Sequence, residues 1–326
     1  MEAYIKGISY YLPNSIVTNR DLNELYPEWS IDKIGAKTGI FSRHIADKDE
    51  YASDMGVKAA NLLIEEYKID RSKIDFLLFC TQSPDYFLPT TACIIQERLG
   101  LPNSCGALDY NLGCSGYIYG LALAKGLIVS GIAKNILFIT SETYSKFINP
   151  NDKSNKSIFG DGASATLVSF EGLCSIGEFR LGTDGSGANN LIVKKGGLRF
   201  PLNTSSTNPE DEFLYMNGPE IFTFTSNSVP DLIIQTIEKN AVTKENIDLF
   251  IFHQANEFML KHLRKISQIP EDKFFVYLKD CANTVSSTIP IALKEAINLD
   301  KIKPGSKCLL AGFGVGYSWG GTILFF

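Results

Sequence analysis

What this chain of 326 residues lacks narrows its chemistry before any motif is read. It has no Cys-X-X-Cys pair, and its cysteines are odd in number: Cys80, Cys93, Cys105, Cys114, Cys174, Cys281 and Cys308. That pattern argues against a disulfide framework and against a zinc site, so no metal is expected. No segment approaches the roughly 20 apolar residues that a membrane helix requires, so membrane insertion is not expected. The opening MEAYIKGISYYLPNS lacks the basic stretch, apolar core and small-residue cleavage site of a secretory signal, which implies a cytoplasmic address. Lysine and arginine are scattered under a net charge of −5, unlike the massed basic surface of a nucleic-acid binder. The composition that remains, 44% hydrophobic and 21% charged, is that of a globular protein with ample core.

A duplication organises the chain. Residues 69–80 (IDRSKIDFLLFC) and 242–253 (VTKENIDLFIFH) share a pattern of polar turn followed by buried strand, each after an amphipathic helical stretch. Residues 76–79 and 249–252 are continuous apolar runs, as in sheets covered on both faces by helices. At the same offset of about 172 residues, Ile136-Leu-Phe-Ile139 matches Cys308-Leu-Leu-Ala311, and residues 116–123 match residues 288–293. The expectation is an α/β chain of two pseudo-symmetric βαβαβ halves, 1–172 and 173–326, packed as one body. Residues 145–157 and 180–218 fall outside the repeat and suit lids or pocket walls.

Cys114 lies in Leu108-Asp-Tyr-Asn-Leu-Gly-Cys-Ser-Gly-Tyr117, where an apolar strand end meets a small-residue turn and then a helical pattern over residues 117–129. Gly113, Ser115 and Gly116 permit a sharp turn, and a helix N-terminus lowers a thiol pKa, so a thiolate is expected. Turn chemistry alone leaves open whether Cys114 is a nucleophile or one more buried cysteine. Each of only three histidines can be weighed. His253 ends a buried strand, at the sheet edge where open α/β folds place chemistry, whereas His44 and His262 suit solvent-facing loop and helix positions. Asn283, in Asp280-Cys-Ala-Asn-Thr-Val-Ser-Ser-Thr-Ile-Pro290, occupies the turn that the repeat sets opposite the Cys114 region. Its amide suits an oxyanion, and helix capping explains it as well from spacing alone. The stretch Ala311-Gly-Phe-Gly-Val-Gly-Tyr-Ser-Trp-Gly-Gly-Thr322 is too glycine-rich for an ordinary strand pair, so backbone there is expected to pass close to something. It fits neither GxGxxG nor GxxxxGK[ST].

Taken in order, Gly-Cys-Ser-Gly around Cys114, Phe159-Gly-Asp-Gly-Ala163, His253-Gln-Ala-Asn256, Asn283-Thr and Gly312-Phe-Gly-Val-Gly-Tyr-Ser-Trp-Gly320 resemble the β-ketoacyl-acyl-carrier-protein synthase III family. Tyr11-Leu-Pro13, Lys37-Thr-Gly-Ile40, Pro89-Thr-Thr-Ala-Cys93 and Lys303-Pro-Gly305 extend the likeness along the whole chain. The resemblance implies a homodimeric thiolase-like fold, layered α-β-α-β-α. It implies that acyl-CoA acylates Cys114, and that malonyl-acyl-carrier protein or malonyl-CoA then loses carbon dioxide and condenses with the thioester. His253 and Asn283 would stabilise the enolate oxygen, and the backbone N–H groups of Cys114 and Val315 the tetrahedral intermediate. No cofactor is implied beyond CoA thioesters as substrates.

Departures from the family pattern concern binding. Phe258 stands where the family has an arginine two residues beyond the His-Gln-Ala-Asn motif, and the lysine expected near Thr223 is absent, so Lys261, Arg264 and Lys265 become the candidates for carrier docking. Leu88 replaces the usual phenylalanine before Pro89 in the acyl pocket, and Trp29, whose ring would stack near the CoA adenine, sits in a segment with extra residues. Asn256 joins Phe258, Leu88 and Trp29 as a candidate for binding CoA or substrate. A competing outcome keeps the acyl-enzyme but passes the group to an alcohol, an amine or water, with His253 as general base. A papain-like protease also orders Cys, His and Asn along the chain, but the duplicated α/β pattern disagrees with it.

Overall fold

The computed structural model describes residues 2–203 and 208–326. In the inner parallel strands of the sheet, alternate residues face opposite apolar layers. On Phe76–Cys80, Leu78 and Cys80 point into one buried cluster while Leu77 and Phe79 point into another. On Leu249–Phe252, Leu249 and Ile251 join that same first cluster, and Phe250 and Phe252 enter a third. A strand covered on both faces has no solvent side, which is why these runs carry no polar alternation. Each fully buried aromatic ring contributes about 1.5–3 kcal/mol relative to exposure.

The shared cluster surrounds the helices Gly116–Val129 and Thr288–Asn298, which contribute Ile118, Leu121, Ile289 and Leu293 among others. Outside the strands, Ala52–Glu66 and Thr91–Arg98 cover one side, while Gly218–Lys239 and Glu257–Ile266 cover the other. The result is an α-β-α-β-α stack with two buried helices at its centre.

Strand order repeats. In the single eleven-stranded sheet, Gly106–Tyr110, Phe76–Cys80, Asn135–Glu142, Gly162–Ser169 and Tyr4–Tyr11 lie side by side. Phe274–Phe275, Leu249–Phe252, Lys307–Gly314, Ser318–Phe325 and Cys174–Ile176 follow the same sequence of neighbours. The first two contacts of each series are parallel and the next two antiparallel. The series join where Tyr4 and Ile5 pair with Ser175 and Cys174.

Residues outside this scheme build walls. Residues 145–157 hold most of a short 3-10 turn and most of the helix Lys153–Ile158. Of 180–218, the strand Arg180–Thr183 joins the edge of Ser318–Phe325, and Leu191–Val193 pairs with Leu214–Met216; residues 204–207 lie outside the described residues. Lys146, Phe147, Leu191, Val193 and Leu214 line a cavity of about 790 Å³.

The glycine-rich C-terminal stretch differs from expectation. It is an antiparallel strand pair in unbroken register, from Lys307 opposite Phe325 to Gly314 opposite Ser318. Its glycines answer to what lies across from them: a Cβ on Gly312 would come within 2.9 Å of Ser115 Cα and 3.0 Å of the Cys114 carbonyl oxygen. Close backbone approach is thus real, and it occurs within a strand.

Candidate active site

Cys114 is buried just ahead of the helix Gly116–Val129, and the turn is closed by the Gly116 N–H donating to the Gly113 carbonyl at 2.8 Å. Its sulfur sits against the last residue of Lys307–Gly314: a Cβ on Gly314 would lie 2.7 Å from Cys114 Cβ and 2.8 Å from Sγ. Only glycine fits there. Gly113 and Gly116 are equally constrained, by Gln82 Oε1 and Cys80 Sγ, each 2.4 Å from a hypothetical Cβ.

The expected thiolate is not what this environment favours. Burial first, then the facing Glu142 carboxylate, push the Cys114 thiol up to about 12. The neighbouring backbone N–H groups of Cys114 and Val315 pull the other way. Desolvation outweighs them, because the sulfur is nearly sealed from water. The resting group is a thiol.

His253 follows the strand Leu249–Phe252 and donates its backbone N–H to the Ala311 carbonyl at 2.8 Å. Its ring stands edge-on to Phe313, with centroids 5.8 Å apart, and its Nδ1 lies 2.7 Å from Thr288 Oγ1. Burial alone lowers its pKa to about 3, so the imidazole is neutral. Asn283 makes an isolated bridge to Phe159, and its Oδ1 accepts from the Val285 N–H at 2.9 Å, which leaves the NH2 as the donor end of the amide. Val285, Phe159, Tyr144 and Cys114 share one apolar cluster with Leu191 and Leu214. Contacts through Gly314, Phe313, Thr288 and Val285 thus gather Cys114, His253 and Asn283 about one place, and Val315 lies both beside the sulfur and on the 790 Å³ cavity.

The residues considered for binding do not all behave alike. Asn256 caps the helix Glu257–Ile266, its side chain accepting from the Met259 N–H at 2.9 Å, so its oxygen already has a structural task. Phe258 is 63% exposed and stacks on Phe222 at 5.7 Å, with His262 against the other ring of that pair at 4.5 Å. Trp29 is half-buried, with the Lys153 ammonium 5.7 Å from its ring centroid. Leu88 is 83% exposed and lies outside the residues lining the cavity, which instead takes Tyr86 and Phe87 from the same segment. Of the basic candidates, Lys261 pairs with Glu257 at 3.0 Å, and Arg264 donates to the Ile269 carbonyl and to Glu271, both at 3.2–3.3 Å. Lys265 is exposed.

The other two histidines are less solvent-facing than their surroundings in sequence suggest. His44 is half-buried on the strand Ser42–Ile45 with Nδ1 on the Pro13 carbonyl, and His262 bonds Ser226 at 3.1 Å. Both are held by structural partners.

Sequence reasoning missed Glu142. Fully buried at the end of Asn135–Glu142, it accepts from the Gln82 N–H at 3.0 Å and from the Ser286 hydroxyl at 2.8 Å, and burial pushes its carboxyl up to about 8. The available signal was a lone carboxylate closing an apolar strand. Thr288 was also missed, because a hydroxyl opening a helix reads as an ordinary cap.

Comparison with known proteins shows the family to which the chain belongs. The profile of 3-oxoacyl-(acyl-carrier-protein) synthase III matches residues 108–185, and that of its C-terminal part matches residues 237–326. β-Ketoacyl-acyl-carrier-protein synthase III from Campylobacter fetus is 37% identical over 326 residues, covering 100% of this chain and 98% of its own. The protein of the same name from Clostridium perfringens is 38% identical over 319 residues, covering 98% of this chain and 97% of its own. A 2.1 Å crystal structure of a 3-oxoacyl-(acyl-carrier-protein) synthase III superposes with a TM-score of 0.96 at 47% identity, covering all of both chains. With its thiolase-like α/β fold, this chain belongs to the β-ketoacyl-acyl-carrier-protein synthase III family of condensing enzymes.

Proposed function

We propose that Cys114 is the acyl carrier of the condensation and that His253 and Asn283 act on its second substrate. The observation that carries this reading is the buried Cys114 sulfur packed against Gly314, where Val315 lines the adjoining cavity, with the backbone N–H groups of Cys114 and Val315 as neighbouring donors. Donors so placed meet the oxygen of a tetrahedral intermediate formed at that sulfur, and each such donor is typically worth about 3 kcal/mol of transition-state stabilisation.

In the first half-reaction the sulfur bonds to the acyl carbon of an acyl-CoA, the bond to CoA breaks, and CoA leaves as its thiol. In the second, a malonyl thioester loses carbon dioxide and the resulting enolate carbon attacks the acyl-Cys114, releasing a 3-oxoacyl thioester. The Asn283 NH2 and the His253 ring stabilise the enolate oxygen while it carries charge. CoA thioesters act as substrates, and no cofactor is held permanently.

Malonyl-acyl-carrier protein is the natural second substrate on this reading, with Lys265 the basic side chain offered to its acidic surface. Tyr86, Phe87 and Leu88, exposed by 62%, 80% and 83%, form an apolar segment at the cavity rim of the kind a second copy covers, in keeping with a homodimer. No described helix is long and apolar enough to cross a membrane, and the reading places the enzyme in the cytoplasm.

Mass spectrometry of the intact protein with a panel of short and medium acyl-CoAs tests the first step. One acyl mass per chain is expected, lost in Cys114→Ala. Adding malonyl-carrier should release carbon dioxide and a 3-oxoacyl thioester. Loss of the acyl mass to water without carbon dioxide release would instead identify a thioesterase.

A further inference from the structure

The polarity of the His253–Asn283 pair is set by a chain of hydrogen bonds that runs behind it. Thr288 Oγ1 lies 3.0 Å from the Val285 carbonyl oxygen and 2.7 Å from His253 Nδ1. A hydroxyl has one hydrogen to give, and a carbonyl can only accept. The Thr288 hydrogen therefore goes to Val285, and its oxygen must accept from a protonated Nδ1. On the other side of the same residue, the Val285 N–H is committed to Asn283 Oδ1 at 2.9 Å.

Resting on the reading of Cys114 as acyl carrier, we infer that Thr288 is a positioning residue that fixes His253 as the Nδ1–H tautomer, with Nε2 as a bare acceptor. Through Val285 it also shares in orienting Asn283, so one residue links the polarity of both reacting groups. Val285 has φ 55, a left-handed conformation that a β-branched residue rarely adopts. The two hydrogen bonds hold it there. His253, Thr288, Val285 and Asn283 are all buried, so water does not compete for these partners.

A consequence for the proton follows. Asn283 presents a donor and resting His253 an acceptor, whereas an enolate oxygen is served by two donors. His253 takes the Cys114 proton on Nε2 as sulfur attacks the acyl-CoA and passes it to the CoA sulfur, so that the carbon–sulfur bond to CoA breaks and CoA leaves as its thiol; a solvent proton taken up on Nε2 as the malonyl thioester loses carbon dioxide then makes His253 a donor. In condensation the new carbon–carbon bond forms, the Cys114–acyl bond breaks, and the departing sulfur recovers its proton from Nε2. One solvent proton is consumed per turnover, which balances conversion of the malonyl carboxylate to carbon dioxide.

The first test is the ¹⁵N spectrum of the wild-type enzyme labelled in its histidine rings. With three histidines in the chain, His253 is assigned by its disappearance in His253→Ala. A protonated-type shift at Nδ1 and an unprotonated one at Nε2 are expected, and the reverse would overturn the inference whatever any Thr288 variant does. In Thr288→Val the tautomers should mix, and kcat should fall about 10- to 100-fold while KM for acyl-CoA changes less than about threefold. Thr288→Ser, which keeps the hydroxyl, should recover kcat to within about threefold. A Thr288→Val enzyme with an unchanged spectrum and kcat, or a Thr288→Ser enzyme as impaired as Thr288→Val, would also overturn it. Failure of the underlying reading looks different: wild-type enzyme would then show no acylation of Cys114 at all.

Discussion

Two turns introduce the buried central helices, and they solve opposite problems. The turn before Gly116–Val129 presents a large reactive atom in crowded surroundings: a Cβ on Gly314, across the sheet, would meet the sulfur, and Cβ atoms on Gly113 and Gly116 would meet Gln82 and Cys80. The turn before Thr288–Asn298 presents a small amide, and it is shaped by left-handed residues that are not glycine, Ala282 at φ 61 and Val285 at φ 55. The first turn spends its glycines on space. The second holds strained backbone in place with side-chain hydrogen bonds, the Val285 N–H donating to Asn283 Oδ1 and Thr288 Oγ1 donating to the Val285 carbonyl. The strand ends beside them diverge in the same sense. Cys80 closes Phe76–Cys80 with its thiol on the Leu112 carbonyl and its pKa driven far up by burial, whereas His253 follows Leu249–Phe252 with its ring on Thr288. On the proposed reading, a repeated scaffold supplies the nucleophile from one turn, and the charge-stabilising Asn283 from the other with His253 from the strand end beside it.

If that division of labour holds, removing the nucleophile should do most harm. Cys114→Ala is expected to take no acyl mass and to lower condensation by at least about 10³-fold, read by intact mass and by product formation. Asn283→Ala should divide the half-reactions: acyl-enzyme still accumulates, while turnover with the malonyl donor falls about 10²- to 10³-fold. Equal losses in both half-reactions would break the comparison, because Asn283 would then be supporting the nucleophile's turn. Gly314→Ala probes space alone. Its Cβ would overlap Cys114 Cβ and Sγ, and a displaced sulfur should slow acylation about 10²-fold with little change in condensation from preformed acyl-enzyme, read by single-turnover kinetics.

Much of this was legible in the sequence, for reasons that are physical. The apolar runs at residues 76–79 and 249–252, each after a polar turn, suit strands covered on both faces, and alternate residues of each do enter opposite apolar layers. Cys114 stood out through its flanking glycines, which record the crowding of its turn against Gln82 and Cys80. The thiol's ionisation was not legible. The helix N-terminus is local and visible in sequence, but the burial and the Glu142 carboxylate that outweigh it come from other elements. The C-terminal glycines read as too many for an ordinary strand pair, since a sequence does not show that the neighbour they make room for is Ser115 backbone. The partners of the docking candidates were hidden for the same reason: nothing in the string Lys261-His-Leu-Arg-Lys265 reveals that Arg264 bonds the Ile269 carbonyl and Glu271.

The last contrast concerns the two strands that end beside the nucleophile, Asn135–Glu142 and Lys307–Gly314, one closing on a buried carboxyl and the other on no side chain. Because burial holds Glu142 at about 8 against an ordinary 4.5, the folded chain keeps a proton that the unfolded chain has lost between those values. Its contribution to stability is therefore full below about pH 4.5, declines as pH rises, and is gone above about pH 8. Glu142→Gln removes the titration and preserves the contacts: the amide oxygen still accepts from Gln82, and the amide NH2 donates to a Ser286 hydroxyl free to turn. The variant is expected to melt within about 1 °C of wild type at pH 5 and about 3 °C above it at pH 8.5. Melting curves that stay parallel across that range would show that Glu142 is already charged in the folded enzyme. The Cys114 thiol would then face a full negative charge throughout, and the contrast between the two strand ends would be one of electrostatics rather than of space.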